Sequence, residues 1–323
     1  MIDSRPTVVD LFAGAGLFSY SFKQVGFRVT QAIEIDAIAA ATYANNLGDH
    51  VVAADVSRVK PNGHCDVIIA GPPCQGFSTL GARRADDPRN SLCLEVVRWA
   101  RTMQPKVVVI ENVAAFLESD EWQGVRRGLR RLGYEVEAII LDAFDYGVPQ
   151  RRRRSFTFAS RVGMVTAPRQ RRSLRSVREA WEGLPSEADG RNDHYAPTPS
   201  RIALERMQII PPGGDKRDVM RRAPHLAAPS WWNVSSEVTD AWGRMEWDQP
   251  CNTLRTALQN ASKGRYIHPE QHRVISLREA ARLHTIPDSW VFTGLPTQIA
   301  RQIGNSVPPS LGRTVARAVK RLL

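Results

Sequence analysis

Strand and helix signals alternate through the first 160 residues of this chain. Thr7-Val8-Val9-Asp10-Leu11-Phe12 reads as a strand, followed by Val29 to Ile35, Asp66 to Ala70 and Val107 to Ile110. Glu137 to Leu141 and Ser155 to Ser160 supply two more, and helical segments such as Leu94 to Met103 and Glu121 to Leu132 lie between them. Strands alternating with helices predict an α/β fold with a parallel sheet and helices on both faces. In an open sheet of that kind ligands bind at the carboxyl ends of the strands. The residues that follow each strand therefore matter most.

The third strand runs into Gly71-Pro72-Pro73-Cys74-Gln75-Gly76. A cysteine after two prolines and between glycines is held on a stiff turn, which suits a nucleophile. A buried structural thiol fits the same place equally well, since free cysteine is among the most buried residue types. Gly14-Ala15-Gly16 follows the first strand, and Glu34 closes the second, 20 residues after Gly14. That layout resembles a nucleotide site in which an acid accepts from a ribose hydroxyl. Ser19 stands where a third glycine is usual, and close packing of a strand–helix corner would also call for small residues. Asp55 is placed to accept from an adenine amino group, or simply to cap a helical turn.

At 323 residues, 42% hydrophobic and 24% charged, the chain is globular. It has no apolar run near the ~20 residues of a membrane helix, and its first residues lack a signal-peptide core. These features predict a cytoplasmic protein with no membrane partner. Cys65, Cys74, Cys93 and Cys251 include no CxxC pair, so neither a disulfide framework nor a metal site is expected. The formal net charge is +11, and from Arg151 to Arg178 there are ten arginines with no acidic residue. A one-signed run of that kind predicts a nucleic-acid partner over a merely solvated surface.

After about Pro168 the alternation stops. Arg169 to Pro250 is rich in proline and glycine, and four of the eight tryptophans fall between Trp231 and Trp247. Ser276-Leu277-Arg278-Glu279 is a capping box opening a helix through Leu283, and a last helix is expected from about Pro309 to Leu323. The predicted organisation is residues 1–168 as a catalytic and cofactor-binding domain and 169–275 as a second, irregular one. Residues 276–301 form a hinge segment, and 302–323 a terminal helix returning to the first domain.

Six segments in order resemble the DNA (cytosine-5) methyltransferases: Asp10 to Gly16, Gly71 to Ser78, Glu111-Asn112-Val113, Gln150 to Arg154, Arg278 to Arg282 with Pro287-Asp288, and Gln302 to Pro309. The resemblance covers nearly the whole chain. It implies a Rossmann-like S-adenosylmethionine-dependent methyltransferase domain, with target recognition in the irregular region. It implies a cofactor site formed by Phe12, Gly14, Gly16, Glu34, Ile35, Asp55, Val56, Pro73, Asn305 and Ser306. In it Phe12 packs on the adenine, Glu34 holds the ribose and Asp55 the adenine amino group.

The family's chemistry assigns Cys74 to addition at C6 of a flipped cytosine. Glu111 then contacts N3 and the 4-amino group, Arg154 donates to O2, and Arg152 braces the carboxylates and loop. Arg151 and Arg153 are expected to face phosphates, and Gln75 to Asn90 to act as a lid. Base readers by residue type are Arg191, Asn192, Arg201, Lys216, Arg217, Arg221, Arg222, Asn233 and Arg244. The expected partner is double-stranded DNA, met as a monomer, with a cognate restriction endonuclease acting on the same site without a stable complex. Two alternative activities stay open, a transfer-RNA methyltransferase and a catalytically inactive DNA-binding relative, and a solitary regulatory methyltransferase would look the same as one with a partner endonuclease.

Overall fold

The computed structural model describes residues 3–73, 92–168, 170, 176–232 and 240–323. The chain divides into two compact units. One comprises residues 1–146, 153–172 and 306–323, and the other residues 147–152 and 173–305.

The first unit is built on β1 (Thr7–Leu11), β2 (Arg28–Glu34), β3 (Val51–Ala53), β4 (Val67–Ala70), β5 (Val107–Val113), β6 (Glu135–Asp142) and β7 (Arg153–Ser160). They form one sheet in the order β3-β2-β1-β4-β5-β7-β6. The first five strands are parallel. Val9, Leu11, Ile68, Ala70, Val108 and Ile110 share a core with Trp99 of α3 (Glu95–Met103) and Val125 and Leu129 of α4 (Asp120–Arg131). Alternate strand residues point to opposite faces, so Asp10 faces the other layer, where it meets Ser19 of α1 (Leu17–Gln24). The C-terminal helix, α11 (Pro309–Lys320), lies against α1 so closely that a Cβ on Gly312 would collide with Ser21. Among the described residues of this unit, the remaining helix, α2 (Ala37–Leu47), is capped by Asp36, whose carboxylate accepts from the Ile38 and Ala39 amides.

The expected α/β class and mostly parallel sheet are observed. One strand departs from a uniformly parallel arrangement: β7 runs antiparallel to both β5 and β6. Parallel neighbours need a crossover, usually a helix. The link from β6 to β7 holds only a 3-10 turn, Ala143–Tyr146, before it enters the second unit at Gly147.

The second unit carries short helices α5 (Val177–Ala180), α6 (Arg201–Ile209), α7 (Lys216–Arg222), α8 (Pro229–Trp232), α9 (Leu277–Leu283) and α10 (Pro296–Asn305). Among its described residues, isolated bridges such as Gln150–Cys251 and Arg244–Ile267 replace a sheet. Met207, Ile210, Val219, Trp242, Ile267 and Val274 form a small core, with Trp231 packed against it. Without ladders, buried carbonyls need other donors. Arg244 supplies them: its buried guanidinium donates to the carbonyls of Ile210, Met207, His268 and Gln271. This corrects its listing among base readers by type. The capping box at Ser276 and Glu279 is present at the start of α9, whereas α10 is a helix the sequence reading did not anticipate.

Candidate active site

The strand order reverses at β1, so the ends of β1 and β4 flank a crevice of the kind that binds ligands in open sheets. The Gly71 amide donates to Leu11 O at 3.2 Å and closes the end of β4 onto β1. A Cβ on Gly71 would sit 3.9 Å from both Glu111 Oε2 and Phe12 O. The turns after β1 and β4 and the acid of β5 therefore meet at one place. Asn112 Nδ2 donates to Pro72 O at 3.3 Å, which ties the diproline turn to β5. Pro73 is the last described residue of that turn, and Cys74 and the expected lid, Gln75 to Asn90, lie outside the described residues.

Glu111 is 8% exposed. Arg154 enters on the neighbouring antiparallel strand, opposite Val113, so it is a diagonal neighbour of Glu111. Its Nε reaches Glu111 Oε1 at 3.1 Å. A largely dehydrated carboxylate beside a guanidinium offers an acceptor and a cationic donor side by side, where charge interacts more strongly than in water.

The glycine turn is held from β2. Gly14, at φ +55°, donates its amide to Glu34 Oε2 at 2.7 Å. The Asp36 amide donates to Glu34 Oε1 at 2.8 Å. Burial raises the Glu34 pKa, partly offset by these amides. Gly16, at φ +91°, caps α1 without a side chain. Beside them Phe12 takes a left-handed backbone at φ 60°, unusual for an aromatic residue, and Ile35 is 71% exposed.

Other expected site residues are less concentrated. Asp55 accepts from the Ser57 amide and hydroxyl at 2.9 and 2.8 Å, as a turn cap does. Val56 is buried in the core against α3, and its carbonyl accepts from Arg98. Arg152, 1% exposed, belongs to the second unit, where it donates to Leu254 O at 3.0 Å and Gly304 O at 2.8 Å. Asn305 ends α10 in that unit, and Ser306 begins the return to the first.

Arg169, Arg171, Arg172 and Arg175 lie outside the described residues, and the described arginines of the run are not one surface. Arg151 and Arg153 are exposed and Arg152 is buried. Arg161 lies over the Tyr134 ring, and Arg178 pairs with Asp248. Among the base readers by type, Lys216 is buried, and Arg217 and Arg221 are paired with Asp215 and Asp218. Asn192 donates to Asp288 O, and Asn233 is outside the described residues. The described cysteines, Cys65, Cys93 and Cys251, are all buried. Burial pushes the Cys65 and Cys93 thiols up to about 12 and raises Cys251 as well, so none offers a thiolate near neutral pH.

The sequence reading gave Asp10 no role, although a carboxylate in an otherwise apolar strand was a visible signal. Asp10 is 1% exposed, and burial, with the Glu34 carboxylate nearby, pushes its pKa up to about 7 despite the Ser19 hydrogen bond. A carboxyl raised on folding stabilises the fold fully below its unfolded pKa. That stability is lost as pH rises from about 4 to 7. Relative to Asp10→Asn, the wild type is expected to lose on the order of 2 kcal/mol between pH 5 and pH 8. Urea denaturation of both proteins at the two pH values checks this, and parallel pH dependence would show that Asp10 is already ionised at pH 5.

A family model of C-5 cytosine-specific DNA methylases matches residues 6–321. The chain belongs to this family. As a C-5 cytosine-specific DNA methylase, its activity is methylation of cytosine in DNA at C5. The methylase is 34% identical to the type II methyltransferase M1.HphI of Haemophilus parahaemolyticus, over 98% of this chain and 87% of that one. It is 31% identical to the type II methylase M.HgiDII of Herpetosiphon aurantiacus, covering 98% and 95%. Among solved structures, a protein described as a DNA modification methyltransferase encoded within a prophage (E. coli) superposes on it with TM-score 0.74 at 25% identity. That superposition covers 98% of the methylase and 99% of that chain. The Entamoeba histolytica methyltransferase EhMeth shares the fold, with TM-score 0.73 at 17% identity and 98% of each chain covered.

Proposed function

We propose that the protein methylates C5 of a flipped-out cytosine in a specific double-stranded DNA sequence through a covalent Cys74–C6 adduct, as the protective partner of a restriction endonuclease. The observation that carries this reading is the Glu111–Arg154 pair, 3.1 Å apart, beside the Gly71–Pro73 turn that leads into Cys74.

S-adenosylmethionine is the cofactor this site fits. Glu34 has one amide on each carboxylate oxygen, which leaves further lone pairs for ribose hydroxyls. Gly14 has no side chain, and a Cβ there would meet open space, so that side of the turn is clear. Phe12 and the exposed Ile35 provide apolar surface for a base. When bound, the cofactor supplies a methyl group on a sulfonium as electrophile.

Cys74 acts as thiolate and adds to C6, which makes C5 a nucleophilic carbon. Glu111, against N3 and the 4-amino group, stabilises the electron density pushed into the ring, and Arg154 donates to O2. Once C5 carries the methyl group, loss of its proton expels Cys74 and restores the aromatic ring. Arg152 positions rather than reacts, because its guanidinium holds the Leu254 and Gly304 carbonyls. A base inside the duplex is out of reach, so flipping at a cost of a few kcal/mol is part of the reading.

Target recognition is assigned to residues 169–275, with 276–301 as hinge and 302–323 returning to the catalytic part. The compact second unit, which takes in residues 173–305, supports this placement. The enzyme acts as a monomer in the cytoplasm, and among the described residues no helix is long and apolar enough to cross a membrane. The type II names of the relatives favour DNA over transfer RNA. Incubation with a random duplex library and S-adenosylmethionine, followed by bisulfite sequencing, is expected to reveal protected cytosines in one short sequence context. Protection without a shared context, or methylation of transfer RNA alone, would sink the reading.

A further inference from the structure

A hydrogen-bonded chain runs under the glycine turn. Ser19 Oγ donates to Asp10 Oδ2 at 2.6 Å, Tyr43 OH donates to Ser19 Oγ at 3.0 Å, and His50 Nε2 lies 3.0 Å from the Tyr43 oxygen. Asp10, Ser19 and Tyr43 are buried, whereas His50, just before β3, is half-buried. The chain touches the turn directly, since a Cβ on Gly16 would lie 2.7 Å from Tyr43 Cδ2. The Tyr43 ring is thus the floor of the turn whose other side is held by Glu34.

We propose that Asp10, Ser19, Tyr43 and His50 form a positioning chain for the cofactor turn, and that the direction of its hydrogens sets how well the turn receives the cationic sulfonium and ammonium of an amino-acid end. This rests on the cofactor reading above. Tyr43 has one hydroxyl hydrogen. When it goes to Ser19, the Tyr43 oxygen accepts from His50 Nε2–H, and every donor in the chain points towards an ionised Asp10. The reversed chain has Asp10 protonated, donating to Ser19, with Ser19 donating to Tyr43 and Tyr43 to a bare Nε2. One proton separates the two states. Water delivers it to His50 Nδ1, the Nε2 hydrogen moves to Tyr43, and each hydroxyl passes its own hydrogen inward. Asp10 therefore titrates although it is closed to solvent.

The surrounding charges give the two states different affinities. The Glu34 carboxylate acts on Asp10 through space, and Lys23 of α1 and Asp49 act on His50. Burial, helped by Lys23, holds His50 below its ordinary pKa, so its ring is neutral near pH 7. An ionised Asp10 places a second negative charge beside Glu34, and a cationic ligand end relieves both. Binding then favours the ionised state and releases a proton.

The test is isothermal titration calorimetry of S-adenosylmethionine binding between pH 6 and pH 8. Wild-type affinity is expected to rise about threefold or more over this range. Asp10→Asn, which keeps the volume, is expected to flatten that rise to the background of the ligand's own ionisation. Tyr43→Phe keeps the ring under Gly16 but removes the donor, and is expected to shift the midpoint to higher pH. His50→Ala makes the same shift from the surface, should a buried variant fail to fold. An Asp10→Asn profile with the wild-type slope, or Tyr43→Phe and His50→Ala profiles with an unmoved midpoint, overturns the chain. Absence of wild-type binding at every pH overturns the cofactor reading itself.

Discussion

Cys74→Ser is expected to lower methyl transfer at least about a thousandfold while leaving DNA affinity within about threefold. The reason is the role proposed for Cys74 as nucleophile. A thiol has an unperturbed pKa of about 8.5 and reacts as thiolate, whereas a serine hydroxyl stays protonated unless a base takes its proton. Among the described residues no other cysteine can substitute, because Cys65, Cys93 and Cys251 are buried and their pKa values are raised. DNA binding, by contrast, is expected to rest on many residues and to survive loss of one sulfur. Single-turnover methylation and a gel-shift titration of the same preparation measure the two effects. Near-wild-type turnover by the serine variant would eliminate the covalent route.

Gly304→Ala is expected to destabilise the protein by about 3 kcal/mol. In an exposed helix the same change gains about 1 kcal/mol, because alanine is the better helix former. Here a Cβ would lie 2.6 Å from Arg255 C and Thr256 N and 2.8 Å from Arg255 O. Those are backbone atoms, which cannot swing aside as a side chain can. The Gly304 carbonyl also accepts from the buried Arg152, so displacing α10 strains a second contact. Chemical denaturation measures the loss, and a change below about 0.5 kcal/mol would mean that the Arg255–Thr256 segment yields easily.

The site was legible in the sequence where chemistry and position coincide. Gly14, Gly16 and Glu34 stand out because a tight turn after one strand and an acid closing the next have few other uses. Glu111 stands out because a carboxylate directly follows four apolar strand residues. Arg154 was separable from Arg151, Arg152 and Arg153 only through the family pattern, because four adjacent arginines carry no periodic signal. Arg244 was misread for a physical reason: residue type does not reveal whether a guanidinium meets solvent or a set of backbone carbonyls. The antiparallel direction of β7 was hidden because it depends on the path of the preceding link, not on the strand's own residues. α10 was hidden because Gly304 and Asn305 lower its local helix propensity, although Pro296 suits a first helical position. It forms because Ile299, Ala300 and Ile303 are buried together.

Chain connectivity limits how such an enzyme can be recombined. The polypeptide changes units four times, after Tyr146, Arg152, Arg172 and Asn305. The short insert Gly147–Arg152 is stitched to distant residues, with Gln150 bonded to His284 and to the Leu254 amide, and Arg152 to Gly304. A cassette cut from residues 173–305 would therefore leave its Gly147–Arg152 insert behind in the donor and meet the recipient's in its place. The second unit can be exchanged between relatives only where the Gln150–Arg152 peg and its sockets travel together or already match.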